Sequence, residues 1–127
     1  MVKKIYYIVN IVFLTVICIF VDFYNMKISN NSFYKSFKMC VKQCLYYSLE
    51  KNDLFMINIE LFENKIGEVL VIIIDKYDID YYSLDAGYFY DDFYCKGVSL
   101  CLNYKIKGYY QKINLNYIMN DYYFPML

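Results

Sequence analysis

The sequence predicts an α+β protein: an N-terminal membrane-directed helix, then one amphipathic helix packed on an antiparallel meander sheet of four to six strands. Three observations carry this expectation. An almost wholly apolar run opens the chain from Ile5 to Val21. An apolar period of 3.6 residues follows from Phe33 to Leu49. Beyond Asp53 the period drops to two, in segments whose connections are too short for parallel crossovers.

The first element begins with the basic pair Lys3-Lys4. Only Asn10 and Thr15 interrupt the apolar residues up to Val21, and as a helix the run is about 26 Å long at about 1.5 Å per residue. That length lies between a secretory signal core and a full membrane span. Residues 1–24 are therefore expected to act as a signal peptide or as a membrane anchor, so that contact with the membrane is transient or permanent. The absence of a small-x-small cleavage site before Asp22 favours an anchor, and the modest length favours a signal. Lipidation at Cys18 is a third fate, although the residues before it, Thr15-Val16-Ile17, lack the small residue such a signal uses. In each case the two lysines hold the N-terminus in the cytoplasm, and the rest of the chain faces outward. Export to the cell envelope or beyond is the expected localisation. Residues 30–127 form the second unit, a small α+β domain.

Within that unit Asn30-Asn31-Ser32 reads as a helix start, because each side chain can accept from an orphan backbone N–H. Phe33, Phe37, Cys40, Val41, Cys44, Leu45 and Leu49 make one stripe, so a helix is expected over 32–50. Phe55, Ile57, Ile59 and Leu61 alternate with polar or exposed positions, as in a half-buried strand. Val69 to Ile74 is apolar on both faces and rich in β-branched residues, which predicts a central strand. Glu68 and Asp75 bracket only six residues there, too few for a second span. Ile79–Leu84 predicts a weaker strand, Asp85-Ala86-Gly87 a turn, and Tyr88–Tyr90 its return. Val98 to Tyr104 alternates again, residues 105–108 turn the chain, and Tyr109–Leu115 runs back. The segment from Asn116 to Leu127 carries no assignable pattern.

Composition excludes several chemistries. The chain has no His and no Arg, and its net charge is zero at pH 7. Without His there is no imidazole base, no His-paired nucleophile and no His zinc ligand. Without Arg there is no bidentate carboxylate or phosphate clamp. A neutral chain is a poor nucleic-acid binder, so no nucleic-acid partner is expected. No cofactor and no metal ligand set are expected either. Phe, Tyr, Ile, Asn and Lys make up more than half of the chain, and their codons are AT-rich, so the Tyr abundance reflects base composition as well as function.

Four cysteines outside the apolar run, Cys40, Cys44, Cys95 and Cys101, are candidate disulfide partners in an exported domain. Cys95 and Cys101 on one strand would lie about 20 Å apart, so pairing between the helix and the sheet is the sterically easier choice. Six aspartates between Asp75 and Asp92, with Lys76 alone opposing, match turn and edge positions that discourage strand aggregation. Asp78-x-Asp80 begins like a calcium loop, but the required Gly and closing Glu are absent. The stretch 93–115 carries Lys96, Lys105, Lys107 and Lys112 and no acid, so paired strands would bring opposite signs together. Tyr81, Tyr82, Tyr88, Tyr90, Tyr109 and Tyr110 are candidate surface binding residues, because exposed Tyr beside Asn, Ser and Gly is adaptable contact chemistry. It would suit a protein or glycan partner.

The function these features predict is that of a small exported or cell-envelope protein with a non-enzymatic binding domain. The alternative is a single-pass, membrane-anchored accessory subunit of a larger membrane complex. A carboxylate-dependent enzyme using the Asp75–Asp92 region is the remaining alternative.

Overall fold

The structure, a computed structural model, describes residues 2–51, 55–91 and 93–118. The expectations for residues 52–54, Asp92 and the tail 119–127 lie outside the described residues. The class is α+β, with a long N-terminal apolar helix and an antiparallel meander sheet in place.

The first helix, α1 (Val2–Tyr47), has 46 residues and a length of about 69 Å at about 1.5 Å per residue. It changes character along its length. Residues 3–25 are exposed on every side. From Met26 onward a single stripe is buried: Met26, Phe33, Phe37, Val41, Cys44 and Leu45. This is the amphipathic helix expected over 32–50, but it does not begin at Asn30-Asn31-Ser32. The backbone N–H groups there already have partners in the preceding turn, so no cap is needed. Asn30 instead accepts a hydrogen bond from the Tyr104 hydroxyl.

Ser48, fully buried, closes the helix. Its N–H donates to the Cys44 carbonyl at 3.0 Å, its hydroxyl to the Leu45 carbonyl at 3.0 Å, and its own carbonyl accepts from Asn58 N–H at 2.9 Å. A short antiparallel ribbon follows, β1 (Leu49–Lys51) with β2 (Phe55–Ile57).

The second helix, α2 (Ile59–Lys76), overturns two expectations at once. The strand expected over 55–61 stops at Ile57, and the expected central strand Val69–Ile74 is helical. Asn58 caps α2, its side chain accepting from Leu61 N–H at 3.2 Å, and Glu60 sits in the favourable first turn. Phe62, Ile66, Leu70 and Ile73 then form a buried stripe at helical spacing. Val71 and Ile72, 59% and 68% exposed, are what made the run look apolar on two faces. The helix ends at Tyr77, and Asp78 adopts a left-handed conformation (φ 52°) with its N–H turned to the Asp75 carbonyl.

The main sheet is the meander β3 (Ile79–Asp91), β4 (Tyr94–Ile106), β5 (Tyr109–Ile118). It has three strands, fewer than the four to six expected. Asp85-Ala86-Gly87 is not a turn: these residues pair in unbroken register with Cys101, Leu100 and Ser99. The turn expected over 105–108 is real and tight, with Lys107 (φ 48°) and Gly108 (φ 84°) both left-handed, as a two-residue hairpin turn requires. Val98, Leu100, Leu102, Tyr104 and Ile106 of β4 and Ile113, Leu115 and Tyr117 of β5 point into a core shared with both helices. The alternate residues form an open face.

Candidate membrane and interaction surfaces

Three surfaces emerge. The first is the apolar half of α1. Its large side chains, from Ile5 to Val21, are exposed around the whole circumference, so no protein core covers any side of it. It is long and apolar enough to cross a membrane, and a signal sequence would meet the same test. Thr15 is compatible with such surroundings, since its hydroxyl donates to the Ile11 carbonyl at 2.8 Å.

The second surface is where α1 emerges from the domain. Phe23 packs edge-on against Tyr109 with ring centroids 5.9 Å apart, and the Lys27 ammonium lies 4.8 Å over the Phe23 ring. Phe23, Met26, Lys27, Asn30, Asn31 and Gln111 line an open cleft of about 480 Å³ there. A few residues further on, Phe33 meets Phe37, Tyr77 and Tyr104, and the Tyr77 and Ser36 hydroxyls lie 2.9 Å apart. These contacts lock α1 to α2 and the sheet. Burial pushes the Tyr104 phenol up to about 12.

The third surface is the open sheet face. One cross-strand row is Tyr81, Lys105, Tyr110, with the Lys105 ammonium 5.3 Å from the Tyr110 ring centre. Beside it lie Ser83, Asn103, Lys112, then Asp85, Cys101, Asn114, then Gly87, Ser99, Asn116. The Ser99 hydroxyl donates to Asn116 Oδ1 at 2.6 Å. Such a face offers ring stacking, the two cations Lys105 and Lys112, and many amide and hydroxyl groups. It carries no paired acid and base, so it suits binding more than proton transfer.

The six candidate tyrosines do not form one patch. Tyr81 and Tyr110 share the open face, and Tyr90 is exposed near the far end of β3. Tyr82 and Tyr88 belong to the opposite face, where they flank an apolar groove of about 360 Å³ between α2 and β3. The Tyr88 hydroxyl donates to Glu63 at 2.7 Å, and burial followed by that bond pushes its phenol upward. Tyr109 turns toward α1. Sequence reasoning missed Asn30 and Lys105; a lysine and a tyrosine flanking a Lys-Gly turn was the available signal for the second.

Cys40 and Cys44 sit on α1, with Lys65 and Glu68 of α2 near Cys44. Cys95 and Cys101 sit on β4, and all four are free thiols. Burial raises Cys40 and Cys95 and pushes Cys44 up to about 11, which keeps these groups neutral and poorly nucleophilic. Asp75, Asp78 and Asp80 border one pocket at the α2–β3 junction, yet among the described residues no three acidic or thiol groups converge as a metal site would need. The register does not set Lys105 and Lys112 opposite acids: Asp85 faces Cys101, Lys105 faces Tyr81 and Tyr110, and Lys112 faces Asn103. Within α2, Lys65 and Glu68 form an ion pair at 3.9 Å.

No family model, curated protein or solved structure matches this chain.

Proposed function

We propose that this protein is a single-pass membrane-anchored, non-enzymatic interaction domain, displayed on the outer side of the membrane. The observation that carries the reading is the continuity of α1. One unbroken helix supplies an apolar cylinder exposed on all sides and, from Met26 onward, the central stripe of the domain core. A tether of this kind holds the domain at a fixed height. Twelve Leu, Ile, Val and Phe residues between Ile5 and Val21 favour insertion by at most about 4–7 kcal/mol. Lys3 and Lys4 orient the N-terminus inward. The open face beyond its hairpin end, with Asn103, Lys112, Asn114 and Asn116, is the surface offered to a protein or glycan partner.

Cys18 tests the anchor, because it lies within the apolar run, three residues before its end at Val21, and is exposed in the protein itself. In intact membranes a charged, water-soluble maleimide should leave Cys18 unmodified, and solubilisation under denaturing conditions should expose it. Peptide mapping that finds Cys18 labelled in intact membranes rejects the reading. For the binding surface, a photoreactive side chain at Asn114 should give a discrete adduct in native membranes; a uniform smear would count against a specific partner.

A further inference from the structure

We infer that the β4–β5 hairpin end of the domain, with the adjoining cleft on α1, sits in the lipid headgroup layer of the bilayer that α1 crosses. This rests on the anchor reading and deepens it.

The argument is one of lengths and contacts. A hydrocarbon core of about 30 Å needs about 20 helical residues. The run Ile5–Val21 has 17 and falls short by a few ångströms. Counted from Ile5, the hydrocarbon boundary falls near Tyr24, and the headgroup layer extends about four residues further. Phe23, Met26 and Lys27 occupy that zone, and Tyr109 is packed on Phe23 at 5.9 Å. The hairpin end is therefore fixed at headgroup height by a contact within the protein. The direction of the strands agrees. Tyr109 meets α1 at Phe23, whereas Tyr117, eight residues along β5, has Tyr34 as its neighbour. β5 thus climbs away from the membrane, and the 93–94 end of the sheet is the distal one, about 40 Å from the hairpin along β4.

The chemistry of this end fits an interface. Tyr110 is 74% exposed, and Tyr at the headgroup level places an apolar ring and a polar tip in suitable layers. The Lys27 ammonium lies 4.8 Å from the Phe23 ring centre and the Lys105 ammonium 5.3 Å from that of Tyr110, so both cations are held beside aromatic rings at this end. Asn30, Asn31 and Gln111 add amide groups in the cleft of about 480 Å³. Lys107 adds one more cation, while Asp22, Asp75, Asp78 and Asp80 lie on neighbouring parts of the same end. The signs roughly cancel. The contact is therefore carried by rings and amides, and anionic lipid is not required.

The chain has no Trp, so single-Trp reporters are clean. The full chain is reconstituted in phosphatidylcholine vesicles as Tyr110→Trp, Phe13→Trp or Phe93→Trp, positions that are 74%, 64% and 95% exposed. Expected are deep quenching of Phe13→Trp by lipids brominated near the chain end, shallow lipid quenching and a blue-shifted emission for Tyr110→Trp, and acrylamide quenching several-fold weaker for Tyr110→Trp than for Phe93→Trp. Adding anionic lipid or salt should leave these values unchanged. If Tyr110→Trp is as open to acrylamide as Phe93→Trp while Phe13→Trp is lipid-quenched, the headgroup inference is overturned and the anchor stands. If Phe13→Trp is not lipid-quenched, the anchor falls and the inference with it.

Discussion

Replacing Phe33 by Ala should strongly destabilise the domain while leaving the free half of α1 unchanged. Phe33 is fully buried and is the point where both helices and the sheet meet, with ring centroids 6.2 Å from Phe37, 5.7 Å from Tyr77 and 4.7 Å from Tyr104. Truncating a buried Phe costs about 3–5 kcal/mol, and aromatic pairs add about 0.5–1.5 kcal/mol each beyond their burial. A domain of this size holds a net stability of about 5–10 kcal/mol, so half or more is lost. At about 4–8 °C per kcal/mol, the Tm should fall by at least about 12 °C. The assay is thermal and urea unfolding of the full chain in mild detergent, followed by near-ultraviolet circular dichroism. Phe13→Ala is the matched control: the same chemistry on a side chain that touches no part of the domain, with no change in Tm. A Phe33→Ala loss below about 1 kcal/mol, or an equal loss in Phe13→Ala, would refute the division of α1 into a free half and a core half.

Gly97→Ala should destabilise the sheet by about 1–3 kcal/mol, because its Cβ would meet the Tyr117 carbonyl oxygen at 2.7 Å and the Phe89 ring at 3.0 Å; an unchanged urea midpoint would contradict that packing. Asn30→Ala should cost about 1–3 kcal/mol by stranding the buried Tyr104 hydroxyl, and Tyr104→Phe in the same chain should recover part of the loss, read as a double-mutant cycle. Stability should also fall on the alkaline side. The Cys44 thiol is raised from 9.0 to about 11 and the Tyr104 phenol from 10.0 to about 12, so the unfolded chain releases these protons first. Their contribution is complete below pH 9 and is lost as pH rises through 9 to 12; a urea midpoint constant to pH 12 would contradict it.

The parts of the fold that were legible are those where one face is buried and the other is wet. The Phe33–Leu45 stripe, the alternation from Val98 to Tyr104 and the Lys107-Gly108 turn each carry a period or a required backbone conformation. The α2 segment was misread because its last turns hold Val69 to Ile74 in a row. β-Branched content suggested a strand, yet the stripe Phe62, Ile66, Leu70, Ile73 and the cap at Asn58 were there to weigh against it. Propensity lost to tertiary context, and two apolar residues stayed outside the core. Asp85-Ala86-Gly87 has turn composition, but it sits inside a ladder of twelve residue pairs with β4, which overrides it. The Asn30 cluster looked like a helix start because the helix that precedes it had been treated as a separate element. The tyrosines stand out in the sequence, but only the register divides them between the two faces of the sheet.

The central claim is that one helix is both anchor and core, and the most direct measurement is the intact mass of the protein recovered from native-host membranes after alkaline carbonate washing. The account predicts that the protein stays in the membrane pellet with a mass that includes residues 3–25. Recovery in the soluble fraction with those residues missing would contradict it and would mean that the apolar half of α1 serves export and is then removed.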